Sequence, residues 1–413
     1  MLIPDARTAA EAVRGRLIAA ASEEFNARGI AGASVARIAK SVGLSRAAVY
    51  YYVADRADLA AQCYREAVSR LAADLSEARG KKGTGRERLL ALVRKALDSD
   101  RVPPAAITEL PLLERNARGE IAAAHAANVA GLRAILRSGM ADGSLRNFDD
   151  EIVAQTIIGT ITWIPLSLHW VEGTSTSYRS RTVDAVCDLL IEGQARDRGF
   201  KLVSPVAIEN FFPPQPSAFD RKANAEAKIE ALLQVASQMF NRNGIDGVSL
   251  DDIADAVGAT KGVLYHYFRN KSDLVVRCYR RAFRLYEQFV DAAEIGGRTG
   301  LERAMIGLHL NVQAHASGLS PLIQLVGSAA LPPAVRREIT GRARALQRRY
   351  ERFGRDGIDD RTMRKLDFDA VAQLGAGAFQ WLPKWFSSDD PRARTVLADE
   401  IVSLFVNGLG PER

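Results

Sequence analysis

Two stretches of eight residues, SRAAVYYY at 45–52 and TKGVLYHY at 260–267, carry the side chains best suited to binding a partner. Each begins with a hydroxyl residue, continues with a long cation and ends with rings that carry a polar atom. The backbone N–H groups that begin a helix, together with a hydroxyl and a cation, are donors to phosphate oxygens. A short helix of this kind fits the major groove of duplex DNA, where its first residues meet base edges.

The residues predicted to contact DNA fall at matching places in and around the two stretches. Arg56 and Lys271 begin the next helix and could each neutralise a further phosphate. Tyr50 and Tyr265 could instead be packing residues with a hydrogen-bonded hydroxyl. The complete set is Arg37, Ser45, Arg46, Ala47, Tyr50, Tyr51, Tyr52 and Arg56 in the first copy, and Thr260, Lys261, Gly262, Tyr265, His266, Tyr267 and Lys271 in the second.

The residues around these stretches predict a helix-turn-helix in both places. A helix of about 15 residues ends at Gly29, Ser34 caps a short helix, and Gly43 breaks it. Ser45 then caps a third helix, which runs to about Tyr52. The same signals return 215 residues later, where Thr260 takes the capping position of Ser45.

The repeat behind these matches is long and free of gaps. Residues 17–68 align with 232–283 at a constant offset of 215, with 21 of 52 positions identical. Similarity returns late in each half at an offset of 218, where Gly159 and Trp163 match Gly377 and Trp381. Apolar residues recur at three- and four-residue spacing, with no alternation typical of strands. The sequence therefore predicts an all-α chain made of two similar halves.

Each half is predicted to hold a small DNA-binding head and a larger helical body. A proline-containing linker joins the two halves. The predicted divisions are 10–75 for the first head, 76–200 for the first body, 201–224 for the linker, 225–290 for the second head and 291–413 for the second body.

Composition limits the other possibilities. The chain of 413 residues has a formal charge of +7, a mild excess that is compatible with a polyanionic partner. Three cysteines are too few for a disulfide framework, and the first residues lack a signal-peptide pattern, so the cytoplasm is the expected compartment. Residues 152–171 are long enough for a membrane span but carry Gln155, Pro165 and His169, so a buried helix beside an apolar cavity is favoured over a membrane contact.

Nothing in the sequence favours an enzyme, a metal site or a bound cofactor. The phosphate loop G-x-x-x-x-G-K-[ST], the nucleophile elbow G-x-S-x-G and the zinc motif H-E-x-x-H are all absent. His125, His309 and His315 do not share a metal-ligand spacing with cysteines or carboxylates.

Both copies fit the pattern F-x-x-x-G-x-x-x-x-S-[VL]-x-x-I-A-x-x-V-G-x-[ST]-[KR]-x-x-[VL]-Y-x-Y-[VF]-x-[NDR]-[KR]-x-D-L. This pattern resembles the N-terminal domain of the tetracycline-repressor (TetR) family. At Val53-Ala54 the first copy departs from the usual family residues, which are Phe and then a polar or basic residue. The departure weakens a packing or phosphate contact without changing the resemblance.

The resemblance implies a small DNA-binding head and a helical body that binds an effector and dimerises. Effector binding would change the spacing of the heads and release DNA, so a repressor is expected. The segments TWIPLSLHW and QWLPKWF resemble a body helix of relatives that bind acyl-thioester or lipid-like effectors. The candidate effector-pocket residues, which could instead belong to the core or a subunit interface, are Trp163, His169, Trp170, Trp381 and Trp385.

The two copies differ most in charge. Residues 34–56 carry four bases and one acid, a net charge of +3, whereas residues 249–271 carry three of each. Because phosphate neutralisation dominates affinity for DNA, the first head should supply more of the attraction. The sequence predicts an intramolecular pseudo-dimer that reads two similar but non-identical half-sites, and two such chains could pair further. The alternative is a protein that binds an effector or a partner, in which one or both heads no longer read DNA.

Overall fold

The computed structural model describes residues 6–98, 100–167, 176–214, 217, 219–323, 331–386 and 388–411. Helices of the first half are α1 (Ala6–Gly32), α2 (Val35–Ser41), α3 (Arg46–Val49), α4 (Arg56–Gly80), α5 (Gly85–Ala96), α6 (Arg115–Ala141), α7 (Asp150–Ser167) and α8 (Thr176–Glu192). Helices of the second half are α9 (Arg221–Asn243), α10 (Leu250–Ala256), α11 (Lys261–Tyr267), α12 (Lys271–Gly296), α13 (Gly300–Ala316), α14 (Pro333–Asp359), α15 (Phe368–Gln380), α16 (Leu382–Trp385) and α17 (Pro391–Asn407). The all-α prediction is confirmed.

Local capping signals explain most helix boundaries in the heads. Gly29 breaks α1 with a φ of 73°, and Gly244 follows α9 with a φ of 79°, a backbone conformation that favours glycine. The Ser34 and Ser45 hydroxyls accept from the backbone N–H groups of Arg37 and Ala48, which caps α2 and α3.

Two details of the third helix differ from the prediction. Thr260 occupies the N-cap position of α11 as predicted, but its side chain makes no capping hydrogen bond. In the first head, α3 ends at Val49 rather than near Tyr52. The backbone N–H groups of Tyr50, Tyr51 and Tyr52 each bond the carbonyl three residues earlier, at 3.2, 3.2 and 2.9 Å. The end of the helix thus tightens into a narrower turn.

Each head has its own core, whereas the two bodies share one. Phe25 and Leu59 are buried in the first head, and Phe240 and Leu274 occupy the same places in the second. A single larger cluster joins the helices of both bodies. The chain between the halves packs against it too, since Phe211 makes an edge-to-face contact with Phe289 at 4.9 Å.

Helices α7 and α15 cross at the centre of the shared core, with α8 and α17 beside them. The crossing is close because Gly159 meets Gly377, and a Cβ atom on Gly159 would lie 2.5 Å from the Gly377 carbonyl oxygen. Among the described residues, none of the helices is long and apolar enough to cross a membrane.

The contacts between the bodies are reciprocal. The Arg146 Nε donates to the Gly408 carbonyl at 2.6 Å, and the Arg364 Nε donates to the Gly193 carbonyl at 2.5 Å. Arg146 and Arg364 are separated by the same 218 positions as the late repeat. Such exchange of equivalent contacts is what a twofold interface requires. The two halves therefore form a pseudo-dimer within one chain.

Candidate nucleic-acid interface

The first head presents a continuous exposed surface formed by α3 and the turn after it. Ser45, Arg46 and Ala47 are exposed at the start of α3, and Tyr51 is 94% exposed at its end. Tyr50 is 43% exposed, so it lies at the surface and not in the core. Donors and rings thus project from α3 and the turn after it, as major-groove recognition requires.

The predicted cations of the first head are not equally available to a partner. Arg37 pairs with Glu24, with Nε 3.0 Å from Oε1, and remains half exposed. The Nη1 of Arg56 donates to the Ala31 carbonyl at 2.6 Å, which ties the start of α4 to the end of α1. Among the described residues, Arg46 has no hydrogen bond or ion pair. Arg46 is therefore the cation best placed to meet a phosphate or a base.

In the second head the equivalent cation already has a partner. The Nζ of Lys261 lies 2.8 Å from Oδ2 of Asp251 on α10, and this hydrogen bond raises the pKa of Lys261. Lys271 is partly buried, which lowers its pKa, while Asp246 and Asp252 act in the opposite direction. The recognition surface of the second head is thus neutralised within the protein.

The ring side chains of the second head divide between surface and core. Tyr265 is 50% exposed, and its ring lies 6.0 Å from the Lys261 ammonium. His266 is exposed and meets Tyr267 edge to face at 4.9 Å. Tyr267 also packs against the head core, as Tyr52 does in the first head. Thr260 and Gly262 are exposed beside them. The structure thus places Tyr52 and Tyr267 between the core and the surface.

A buried asparagine joins each head to its body, a feature that the sequence analysis missed. Asn26 donates to the Pro104 carbonyl and accepts from the Ala106 N–H, both at 2.9 Å. Asn241 donates to the Pro321 carbonyl at 2.8 Å and accepts from the Ile323 N–H at 3.0 Å. The sequence feature that could have identified them is that asparagine occupies the same position in both copies of the repeat, at 26 and 241. Each side chain satisfies two backbone groups of the body, so it links the head to the body.

The three candidate effector residues that the structure describes have different surroundings. Trp163 packs against Ala106, and its indole N–H is buried without a hydrogen-bond partner. The Trp381 indole donates to Gln155 Oε1 at 3.1 Å. Trp385 is partly buried and meets Phe386 edge to face. His169 and Trp170 lie outside the described residues.

A second polar position inside the bodies was also missed. His315 ends the buried helix α13, stacked on Phe379 with ring centroids 5.3 Å apart. Its Nε2 lies 3.3 Å from the Tyr286 hydroxyl, whereas its Nδ1 is buried without a partner. Burial lowers the pKa of His315 to about 3, so the ring is neutral at pH 7.

Sequence comparison identifies the heads and the second body. A profile described as "Bacterial regulatory proteins, tetR family" matches residues 17–63 and again 232–278. A profile described as "Tetracyclin repressor-like, C-terminal domain" matches residues 303–409. The chain belongs to the TetR family. The two matches to the head profile also confirm that the family unit occurs twice in this chain.

The curated relatives match over short stretches of this chain. The transcriptional repressor KstR2 of Mycolicibacterium smegmatis is 33% identical over 78 residues, which are 18% of this chain and 38% of that protein. The regulator AcrR of Shigella flexneri is 40% identical over 53 residues, 13% of this chain and 25% of that protein. The chain thus matches between a quarter and two fifths of the length of these two relatives.

Solved structures of transcriptional regulators match somewhat less than half of the chain. PfmR from Thermus thermophilus is 22% identical and covers 44% of this chain and 99% of its own, with a TM-score of 0.37. KstR2 of Mycobacterium tuberculosis is 21% identical and covers 45% of this chain and 96% of its own, with a TM-score of 0.38.

Proposed function

We propose that the protein is a DNA-binding transcriptional repressor whose two heads read two similar but non-identical half-sites. The observation that carries the proposal is the pair of exposed recognition surfaces on α3 and α11, held by one pseudo-dimer. TetR-family membership supports the same function. A pseudo-twofold protein is expected to bind a pseudo-palindromic operator, because half-site symmetry mirrors protein symmetry.

The heads should contribute unequally to the affinity for DNA. Arg46 offers a full cation to the DNA, whereas Lys261 must share its ammonium with Asp251 or give up that contact. Each cation that neutralises a phosphate releases a counterion and adds about one unit to the slope of log affinity against log salt concentration. Arg46 should therefore carry more of the slope than Lys261.

Substitutions test this difference on an operator selected from random DNA. Arg46→Ala is expected to weaken binding by about tenfold and to reduce the salt slope by about one. Lys261→Ala should weaken binding by about threefold or less, and Asp251→Asn should strengthen it by freeing Lys261. Fluorescence anisotropy at several salt concentrations measures all three. Equal losses for Arg46→Ala and Lys261→Ala, on a perfect palindrome, would contradict the asymmetric proposal.

A second function is favoured by the neutral charge of the second head. In this alternative the second head does not bind DNA. It binds another partner or has only a structural role. Lys271 is partly buried near Asp246 and Asp252, so it is poorly placed to meet a phosphate. Lys271→Ala separates the two functions: an unchanged affinity and salt slope supports the second, and a loss of both supports the first.

We also propose that a small apolar or amphipathic effector enters the bodies and controls release of DNA. The buried and unpaired Trp163 indole N–H and His315 Nδ1 support this proposal, because each could pair with a polar atom of an otherwise apolar ligand. Trp163 also touches Ala106, whose N–H is held by Asn26 of the first head. A ligand at Trp163 would therefore act on the segment that holds this head.

Thermal-shift screening of fatty acids and acyl-thioesters, followed by DNA release in the anisotropy assay, tests the effector proposal. Trp163→Phe keeps the aromatic ring and removes the N–H donor, so DNA affinity without ligand should be unchanged while the ligand concentration for half release rises. The same change should be without effect if the ligand binds only near His315, in which case His315→Phe should impair release.

A further inference from the structure

The two heads meet the bodies at one buried junction, and Glu109 lies at its centre. Glu109 belongs to the segment of the first body between α5 and α6, and its side chain is 2% exposed. Its Oε2 accepts a hydrogen bond of 2.7 Å from the Ile30 backbone N–H. Ile30 follows the break at Gly29, where the first helix of head one turns toward the helix-turn-helix. Glu109 thus holds the first head directly.

The same carboxylate also lies close to the second head. A Cβ atom on Gly244 would lie 3.0 Å from the Glu109 Cγ and 3.1 Å from its Oε1. Gly244 is the counterpart of Gly29, since the two are separated by 215 positions. Glu109 therefore lies between equivalent points of the two heads, at the place where each head leaves its first helix.

Lys384 contributes to the junction from the second body. It lies on α16, and its Nζ donates to the Thr108 carbonyl at 2.7 Å and to the Arg242 carbonyl at 2.9 Å. Arg242 belongs to the last turn of α9, where carbonyl groups have no partner within the helix. A cation is favoured at such a helix end. One ammonium group thus connects the first body, the second body and the second head.

The sequence does not repeat the two charged residues of this connection. The residue 218 positions before Lys384 is Leu166, and the residue 217 positions after Glu109 is Val326. The offset of 217 is the one that relates Pro104 to Pro321, the carbonyls that the two asparagines hold. A dimer of identical chains would carry such residues twice. Fusion of the two halves allows a single charged junction instead.

We propose that Glu109 and Lys384 fix the distance between the two heads and thereby select the spacing of the half-sites. The selection of spacing rests on the proposed DNA-binding function. The two residues are positioning residues, since they act through Ile30, Thr108 and Arg242 rather than on DNA. One added base pair moves a half-site by about 3.4 Å and turns it by about 35°, so heads of fixed separation can follow only one spacing.

The burial of Glu109 and the partial burial of Lys384 agree with a fixed junction. Burial raises the pKa of the Glu109 carboxyl to about 7 and lowers that of the Lys384 ammonium to about 8. The attraction between the two groups opposes both shifts. Charged groups are retained in such surroundings only where their partners are well placed.

Distances between spin labels test the junction without DNA. Lys40→Cys and Asp255→Cys occupy equivalent exposed positions on α2 and α10, and the three native cysteines are buried. The parent protein should give one narrow distance distribution by double electron-electron resonance. Lys384→Met removes both hydrogen bonds and should broaden it, whereas the exposed control Lys365→Met should leave it narrow. Glu109→Ala should broaden it too, and Glu109→Gln, which can still accept from Ile30, should preserve it.

A spacing series on DNA tests the consequence. On operators lengthened or shortened by one or two base pairs, the parent protein should lose at least about tenfold in affinity for each change. The affinity of the Lys384→Met variant should vary by about threefold or less across the series. A substitution that merely destabilises the fold would weaken binding at every spacing and leave the profile steep.

The two readouts separate failure of the junction from failure of the proposed function. Unchanged narrow distances in both Lys384→Met and Glu109→Ala would overturn the proposal, as would a spacing profile as steep as that of the parent. Broadened distances with no DNA binding by the parent protein would support the junction and overturn the DNA-binding function. If Lys384→Met does not fold, Glu109→Ala against Glu109→Gln carries the same comparison.

Discussion

Replacing Gly377 with alanine is expected to lower the free energy of unfolding by about 2 kcal/mol or more, despite its position inside a helix. The added Cβ atom would lie 2.6 Å from the Thr160 Cα and 2.9 Å from its nitrogen. Both are backbone atoms of α7, so the contact can be relieved only by separating α7 from α15. Overpacking of this kind costs about 1–3 kcal/mol or more, which exceeds the gain of about 1 kcal/mol in helix propensity.

Urea denaturation followed by tryptophan fluorescence measures this effect, since Trp163 and Trp381 lie on or beside the helices concerned. Gly119→Ala is the matched control, because it lies within α6 and a Cβ atom there would meet nothing within 4 Å. The control should raise stability by up to about 1 kcal/mol. Gly377→Ala as stable as this control would mean that the two halves do not pack closely at the crossing.

The crossing glycines show what the sequence could predict. Gly159 and Gly377 were matched from the late repeat alone, and the early repeat placed the helix breaks at Gly29 and Gly244. Such features depend on local conformation, which a few neighbouring residues determine. The all-α class and the paired halves followed from the same local evidence.

Contacts between distant residues could not be predicted in this way. The charge difference between the heads was visible in the sequence, but the pairing of Lys261 with Asp251 depends on how α10 and α11 pack. Arg56, which is predicted to meet a phosphate, also donates to the Ala31 carbonyl. Its side chain extends from a separate helix, so no local sequence pattern indicates the contact.

The junction at Glu109 is the most distant case. It joins residues from both heads and both bodies, which the chain separates by more than 270 positions between Thr108 and Lys384. No residue pattern around Glu109 distinguishes it from an exposed glutamate in the same segment, such as Glu114. Only the packing of the two halves buries one carboxylate and leaves the other in water.

The burial of Glu109 predicts how the stability of the protein depends on pH. The pKa of Glu109 rises from an ordinary 4.5 to about 7 because of burial, with Asp246 raising it further and Lys384 and the Ile30 N–H lowering it. The folded protein therefore holds the Glu109 proton more tightly than the unfolded chain. The stabilisation from this proton is complete below about pH 4.5 and is lost as the pH rises through about 7.

Glu109→Gln should remove this loss, because an amide does not titrate. Measured by urea denaturation, the stability of the variant relative to the parent should increase by about 2–3 kcal/mol between pH 5 and 7.5. Below the folded-state pKa of Lys384, about 8, the lysine remains largely protonated in both states and contributes little to the slope. Glu114→Gln, at an exposed position, should leave the slope of the parent unchanged. Parallel curves for Glu109→Gln and the parent would mean that water reaches the carboxylate and that the heads are not held by a closed junction.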